Sequence, residues 1–214
     1  MSESWNKVLT IGHSTLALDA FLALLEGTGV TAVVDVRSSP FSRRVPHFSR
    51  DEIRTSLKQR GIKYGFLGKE LGGRPHADEL YCDEVADYEK MALEPMFLKG
   101  IERVMNGAKE HRIALMCSEH NPLDCHRCLL VGRVLSERHV PMGHILTNGR
   151  IAEQKEIEEK LLSASGDTNE DMFSNRDERL IRAYRSRAKS VAYRKPLPEM
   201  VEVRVDAHRY SHVP

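Results

Sequence analysis

The stretch Val30-Thr-Ala-Val-Val-Asp-Val36 indicates the fold class of this chain. It is almost continuously apolar up to Asp35 and rich in β-branched residues, which is typical of a strand covered on both faces. Strands of this kind belong to parallel sheets with helices packed on either side. The neighbouring segments should therefore supply helices and further parallel strands.

The rest of the first 150 residues follows the same pattern. We predict further strands at residues 8–11, 62–67, 112–117 and 140–146, with helical segments between them, one of which spans 87–110 and breaks near Pro95. Strands that alternate with helices predict an α/β fold, here a doubly wound, mainly parallel sheet of about five strands with helices on both faces.

Composition predicts one α/β domain over residues 1–150 and a helical, partly extended, basic extension over residues 151–214. The 214 residues are 41% hydrophobic and 29% charged, as in soluble globular proteins. Residues 174–214 carry ten basic and five acidic side chains. No apolar run approaches the roughly 20 residues of a membrane span, and the first residues lack the apolar core of a secretory signal. We therefore expect a cytoplasmic protein with no membrane partner.

The four cysteines are unevenly distributed. Cys117, Cys125 and Cys128 lie within twelve residues, and Cys82 stands apart. A disulfide framework would spread its cysteines over several loops, whereas this clustering favours thiol, metal or redox chemistry.

Polar residues follow each predicted strand at the edge where α/β sheets bind ligands. The first strand leads into His13 and Ser14, and the second leads into Asp35, Arg37 and Arg43. The third leads into Gly72 and Gly73, and the fourth into Cys117, Glu119, Cys125, His126 and Arg127. Their convergence predicts one polar pocket at this edge.

The loop after the fourth strand leads into a helix that begins near Cys125 or His126. A helix N-terminus favours anions and lowers the pKa of a nearby cysteine. These features favour a cysteine-dependent hydrolase or transferase acting on an anionic, phosphate-bearing substrate, such as a nucleotide or nucleic acid. The candidate catalytic residues are Cys117, Cys125, His126, His13, Glu119 and Asp35. The candidate anion-binding residues are Arg37, Arg127, Arg43, Ser14, Gly72 and Gly73.

Three other interpretations remain open. Cys117, Cys125 and His126, with Glu119 and His120 as further ligands, could instead form a metal-binding or redox site. The basic extension, with Arg176, Arg179, Arg182, Arg185 and Lys189 at helical spacing, could bind nucleic acid or form a solvated face. Cys117 could also be a buried core residue, as free cysteines often are. No dinucleotide-binding glycine motif follows the first strand, and the sequence predicts no particular cofactor.

Five motifs in this order resemble the domain of unknown function 488 family. They are Thr10-Ile-Gly-His-Ser14, Val34-Asp-Val-Arg37 with Pro40 and Ser42-Arg43, Gly61-Ile62 with Tyr64, Leu71-Gly-Gly73, and Cys117-x-Glu119 followed by Cys125-His-Arg127. The resemblance covers about residues 8 to 150. It implies a compact α/β domain with enzyme-like polar motifs, and it implies no substrate. Cys128 lies outside the pattern.

Overall fold

A central sheet organises the computed structural model, which describes residues 5–166 and 175–196. The strands are β1 (Val8–Gly12), β2 (Ala32–Asp35), β3 (Lys63–Phe66), β4 (Tyr81–Cys82), β5 (Val85–Ala86), β6 (Ile113–Cys117), β7 (Met142–Ile145) and β8 (Ile151–Glu153). Six of them form the sheet in the order β3-β2-β6-β1-β7-β8, and β4 and β5 form a separate hairpin.

The sheet is parallel from β3 to β7, and only β8 runs antiparallel to its neighbour. This arrangement confirms the predicted α/β class and mainly parallel sheet. The strand count is six rather than about five, because β8 was not predicted. It is three residues long and leads directly into a helix, so it lacks the apolar run that marks the other strands.

The helices cover both faces of the sheet. They are α1 (Leu18–Gly27), α2 (Arg50–Gln59), α3 (Gly68–Leu71), α4 (Tyr88–Leu93), α5 (Pro95–Ala108), α6 (Arg133–Glu137), α7 (Gln154–Ser165) and α8 (Arg176–Val191). Apolar side chains of α1 and α2 pack in one core cluster, and those of α5, α6, α7 and α8 pack in the other. The predicted break near Pro95 is confirmed, since α4 and α5 are separated at Glu94.

Strand β6 shows how the sequence builds both cores. Ile113 and Leu115 join the cluster with α5 and α6, whereas Ala114 and Met116 join the cluster with α1 and α2. Successive side chains of a strand point to opposite faces, so a strand buried on both faces must be apolar throughout. Cys117 continues the first set and therefore lies on the α5–α6 side of the sheet.

The connections that follow β1 and β6, two adjacent strands of the sheet, diverge at its carboxyl edge. The chain leaves β1 for α1 on one face and leaves β6 towards α6 on the other, so the connections of these adjacent strands diverge. Divergent connections of this kind create the ligand-binding crevice of open α/β sheets. Backbone hydrogen bonds from His13 N to the Cys117 carbonyl and from Ser14 N to the Ser118 carbonyl, both 2.9 Å, join the two loops.

A wide π-helical turn, Arg127–Gly132, connects this edge to α6. All six of its residues are buried. A Cβ atom on Gly132 would lie 3.0 Å from the Arg127 carbonyl oxygen, so the turn is tight against its own backbone at that point. Turns of this type are rare and recur beside functional sites.

The extension after residue 150 contributes to the same body. Residues 151–153 pair with β7, and α7 and α8 pack in the core cluster that contains α5 and α6. The domain boundary near residue 150 stays a prediction. Among the described residues, no helix combines the length and the apolar character needed to cross a membrane.

Candidate active site

Two cysteines and one histidine meet at the end of β6. The sulfur atoms of Cys117 and Cys125 and a ring nitrogen of His126 all lie within 4.8 Å of one another, and all three residues are buried. His126 Nδ1 is 3.8 Å from each sulfur. Its Nε2 lies 2.9 Å from the carbonyl oxygen of Val36, which can only accept a hydrogen bond. Nε2 therefore carries a proton, and Nδ1 faces the two sulfurs.

The double glycine after α3 allows this arrangement. A Cβ atom on Gly73 would lie 2.8 Å from His126 Cγ and Nδ1, and one on Gly72 would lie 2.4 Å from Ser38 Oγ. Contacts this short are incompatible with any side chain unless the neighbour moves. Gly73 thus packs directly against the imidazole ring and fixes its position.

The surroundings of the trio shift the pKa values of its two thiols in opposite directions. Burial alone would raise the pKa of Cys125, but the hydrogen bond from Cys117 and the positive charges of Arg127 and His126 hold it well below its usual range. Burial alone would lower the pKa of His126, yet the Cys125 thiolate keeps it raised. The hydrogen bond to Cys125, with burial, raises the pKa of Cys117 well above its usual value.

The other two cysteines lie apart from this trio. Cys128 is fully buried and packs with Ala152 and Ile157, and burial raises its pKa to about 12. Cys82 is exposed in the β4–β5 hairpin. The Cys125-x-x-Cys128 spacing therefore does not direct both sulfurs to one point.

A buried network of charged and polar groups follows β2. Arg37 donates to both carboxylate oxygens of Asp35, from Nε at 2.9 Å and from Nη2 at 2.6 Å. Tyr64 donates a further hydrogen bond to Asp35 at 2.8 Å. Burial and the charge of Asp35 raise the pKa of Tyr64, so the phenol stays protonated.

His13 belongs to this network. Its Nδ1 lies 2.9 Å from the Ser14 carbonyl oxygen, its Nε2 lies 3.1 Å from Nη1 of Arg37, and its ring stacks on Phe48 at a centroid distance of 4.3 Å. Burial lowers the pKa of His13 to about 4. The ring is therefore neutral near pH 7, with Nδ1 donating and Nε2 accepting.

Arg127 supports the loop after β6. Its Nη1 donates to the carbonyl oxygen of Glu119 at 2.6 Å and its Nη2 donates to that of His120 at 3.0 Å, and the residue is 1% exposed. A Cβ atom on Gly12 would lie 1.8 Å from the same Glu119 oxygen, so glycine is required where β1 meets this loop. The guanidinium groups of Arg37 and Arg127 thus bind different internal partners.

An open cleft of about 360 Å³ runs past the trio. Its lining consists of Arg37, Ser38, Ser39, Gly73, Arg74, Tyr88, Cys117, Ser118, Glu119, Asp124, Cys125, His126, Val191 and Tyr193. Six predicted site residues thus share one cleft: Cys117, Cys125, His126, Glu119, Arg37 and Gly73. The others, His13, Asp35, Arg127, Ser14, Gly72 and Arg43, are absent from the lining. Ser14 has a left-handed backbone, with φ of 46°, and Arg43 is exposed on a loop.

Sequence reasoning missed several residues of the cleft. Tyr88 begins α4, and Val191 and Tyr193 come from the end of α8 and the segment after it, far from the polar motifs. No motif marks them. Arg74 was the most predictable of the missed residues, because it follows Gly72 and Gly73 in a loop expected at the carboxyl edge.

Acidic partners engage much of the basic face of α8. Arg176 pairs with Glu159 at 2.8 Å, Arg185 lies 3.4 Å from Glu89, and Arg187 forms an ion pair with Asp124. Nucleic-acid binding by the extension stays a prediction. Residues 197–214, which include the rest of the basic segment, lie outside the described residues.

Comparison with models of protein families assigns the chain to a family. The model of the domain of unknown function DUF488 matches residues 17–134, which is more than half of the sequence, so the chain belongs to that family. No curated protein and no solved structure matches the chain. The match includes Cys117, Cys125 and His126 and ends before the residues that α8 contributes to the cleft.

Proposed function

We propose that this member of the DUF488 family is an enzyme that uses Cys125 as a nucleophile on a small anionic substrate. The supporting observation is the contact of Cys125 with His126, 3.8 Å from sulfur to Nδ1, in a setting where the hydrogen bond with Cys117, the charge of Arg127 and this imidazole together lower the pKa of the Cys125 thiol. The thiolate is the nucleophilic form of cysteine, and an adjacent histidine is a common means of stabilising it. A hydrolase or a transferase would both use this pair.

The contacts support the following catalytic roles. Cys125 Sγ attacks the electrophilic atom of the substrate, and a sulfur–substrate bond forms as the bond to the leaving group breaks. His126 Nδ1, 3.8 Å from the sulfur, supplies the proton that the leaving group takes. Water, or a second substrate in a transferase, then displaces Cys125. Glu119 lines the same cleft and is the candidate base for that second step.

Positive charge near the thiolate supports the preference for an anion. An imidazolium at His126 and the guanidinium of Arg74 both line the cleft. The first helical residue after the pair is Arg127, so Cys125 and His126 also lie beside a helix N-terminus. Asp124, one of the two carboxylates in the lining, is paired with Arg187.

Alkylation by iodoacetamide as a function of pH tests the nucleophile. The starting protein carries Cys82→Ser, which removes the exposed thiol. We expect one thiol to react with a midpoint well below the ordinary value of about 8.5. Cys125→Ser should abolish this reaction, and Cys128→Ser, the matched control in the core, should preserve it. A lowest midpoint near 8.5 would exclude the thiolate mechanism.

A metal centre is the second candidate, and the same three residues support it. A tetrahedral zinc ion with usual Zn–S and Zn–N lengths separates sulfur and nitrogen ligands by about 3.6 Å, close to the 3.8 Å from His126 Nδ1 to each sulfur. Metal-binding histidines also donate their second N–H to a carbonyl or carboxylate, as His126 does to Val36. Cys117, Cys125 and His126 would hold such an ion and leave one position for substrate.

Elemental analysis distinguishes the two candidates. Protein purified without a metal-affinity step should contain close to one equivalent of a transition metal if the metal centre is correct, and Cys117→Ser or Cys125→Ser should remove it. Structural and catalytic metal sites bind tightly enough to survive purification. Less than about a tenth of an equivalent would end the metal proposal and leave the thiolate mechanism.

A further inference from the structure

We infer that Arg74, positioned by Tyr193, is the residue that binds the negative charge of the substrate, and that the C-terminal segment determines which anion the cleft accepts. The C-terminal segment is defined as residues 191–195, which comprise the last residue of α8 and the four residues after it. This inference rests on the proposed function, because it names the charge-binding group of the same cleft.

The side chain of Arg74 is suited to binding an external anion because it has no acidic partner among the described residues. In the described ranges 5–166 and 175–196, no carboxylate lies within ion-pair distance of its guanidinium. Its contact is the ring of Tyr193, whose centroid lies 4.6 Å from Cζ. Stacking on an aromatic face leaves the N–H groups at the edge of the guanidinium available to an anion.

The other two arginines near the trio are already occupied. Arg37 lines the cleft but donates to both oxygens of Asp35, and its side chain is 4% exposed. Arg127 donates to two loop carbonyls and does not line the cleft. Binding substrate through either would break buried hydrogen bonds, whereas the Arg74 guanidinium donates no hydrogen bond within the part of the chain that the structure describes.

Backbone contacts hold both members of the pair in place. Arg74 N donates to Ser38 Oγ at 3.0 Å. The Tyr193 carbonyl accepts from Ala86 N at 2.8 Å, and Lys195 N donates to the Glu84 carbonyl at 2.8 Å. The C-terminal segment is thereby attached to the β4–β5 hairpin, so its aromatic ring stays against Arg74.

The walls of the cleft indicate the kind of anion. Tyr88, Val191 and Tyr193 supply aromatic and aliphatic surface, and about 360 Å³ accommodates a small organic molecule. The charges opposing an anion are Glu119 and Asp124, and Arg187 neutralises the second. The expected ligand is a carboxylate or phosphate monoester joined to an apolar or aromatic group.

Two alkylating agents that differ in charge test this inference. Iodoacetate and iodoacetamide transfer similar groups to a thiolate with loss of iodide, and only iodoacetate is an anion. The measured quantity is the rate of iodoacetate divided by the rate of iodoacetamide at Cys125, in the Cys82→Ser background. Arg74→Gln should lower this ratio about fivefold, as expected for the loss of one partly screened positive charge. Dividing by the iodoacetamide rate corrects for any change in the reactivity of the thiolate itself. A ratio that stays constant while Cys125 remains reactive would overturn the inference and leave the proposed nucleophile intact.

Matched variants separate the local contact from net charge and folding. Arg54→Gln removes an exposed positive charge on α2, away from the cleft, and should leave the ratio unchanged. Tyr193→Phe keeps the aromatic ring and should preserve the ratio, whereas Tyr193→Leu should lower it. Equal effects of Arg54→Gln and Arg74→Gln would show that net charge alone acts.

A second measurement does not require a reactive thiol. Inorganic phosphate is titrated into the ¹⁵N-labelled Cys82→Ser/Cys125→Ser protein while the amide signals of Ser38 and Arg74 are followed by NMR. We expect saturable shifts that Arg74→Gln abolishes. If these shifts are observed but Cys125 does not react in the alkylation assay, Arg74 remains the proposed anion-binding residue and the proposed role of Cys125 as nucleophile is rejected. No saturable shift at Arg74 would reject the anion site.

Discussion

Arg37 and Asp35 form a bidentate ion pair, with Nε–Oδ1 and Nη2–Oδ2 distances of 2.9 and 2.6 Å, and both side chains are almost completely buried. A buried pair is held together by the cost of leaving either partner alone. Because Arg37 also contacts His13, this pair connects the ends of β1 and β2. Its integrity should therefore matter for stability even if substrate never touches it.

Removing the carboxylate charge should be severely destabilising. Asp35→Asn leaves a buried guanidinium without its counter-charge, and we expect the free energy of unfolding in urea to fall by about 3–5 kcal/mol. The matched control is Glu26→Gln, which removes the charge from the exposed pair with Arg60 and should cost less than about 1 kcal/mol. Similar losses in the two variants would contradict a special role for the buried pair.

His13 should make the protein less stable in mild acid. The folded-state pKa is about 4 and the ordinary value is 6.5, so between these values the unfolded chain binds a proton that the folded chain does not. The free energy of unfolding should therefore decrease as pH falls from 6.5 towards 4, by about 2 kcal/mol at pH 5 from this group. Denaturant unfolding of His13→Asn at pH 7.5 and 5.0 should show a smaller decrease than the parent protein.

Two comparisons qualify the acid measurement. His144 is also buried and has a pKa lowered to about 4, so the His13→Asn variant should keep part of the pH dependence. His76 is exposed, and His76→Asn should reproduce the parent curve. An unchanged pH dependence in His13→Asn would mean that His13 is not buried in its neutral form.

Gly73→Ala should disturb the site more than the fold. The added methyl group would lie 2.8 Å from ring atoms of His126 and must displace the ring. We expect the alkylation rate of Cys125 at pH 7 to fall several-fold. Gly65→Ala is the control, since a Cβ atom there meets nothing within 4 Å. Thermal unfolding of both variants tests whether the effect is confined to the site. Equal alkylation rates of Cys125 in the two variants would contradict the contact between Gly73 and His126.

His126→Gln should raise the pKa of Cys125. The imidazole is among the groups that stabilise the thiolate, and burial opposes ionisation once it is removed. The midpoint of iodoacetamide labelling should move up towards the ordinary thiol value. His120→Gln changes an exposed histidine of the same loop and should leave the midpoint where it was.

The sheet and the edge that carries the site were predictable because their signals are local. Runs such as Val30-Thr-Ala-Val-Val-Asp-Val36 report burial on two faces, and polar residues directly after such strands must lie at the carboxyl edge. Cys117, Cys125 and His126 followed from this rule. Strand β8 did not, because three residues carry too little pattern to distinguish a strand from the start of α7.

The sequence does not predict which arginines bind internal partners and which one is available to a ligand. Arg37 and Arg127 belong to the polar motifs, and nothing in their spacing reveals that their N–H groups donate to Asp35 and to loop carbonyls. Tyr193 lies more than 60 residues after the loop that follows β6, and only tertiary packing brings it to Arg74. Such partner choices depend on distances between elements, which local patterns do not encode.

The π-helical turn at Arg127–Gly132 has a consequence for insertions and deletions in this region. A wide turn contains one residue more than a regular α-helical turn can hold, so deletion of one residue could restore a regular helix without unfolding it. Each residue of an α-helix advances the chain by about 100° around its axis. The buried face of α6 and the Cys125–His126 pair would then lose their relative orientation. A variant one residue shorter should keep the helix and lose the arrangement of Cys117, Cys125 and His126.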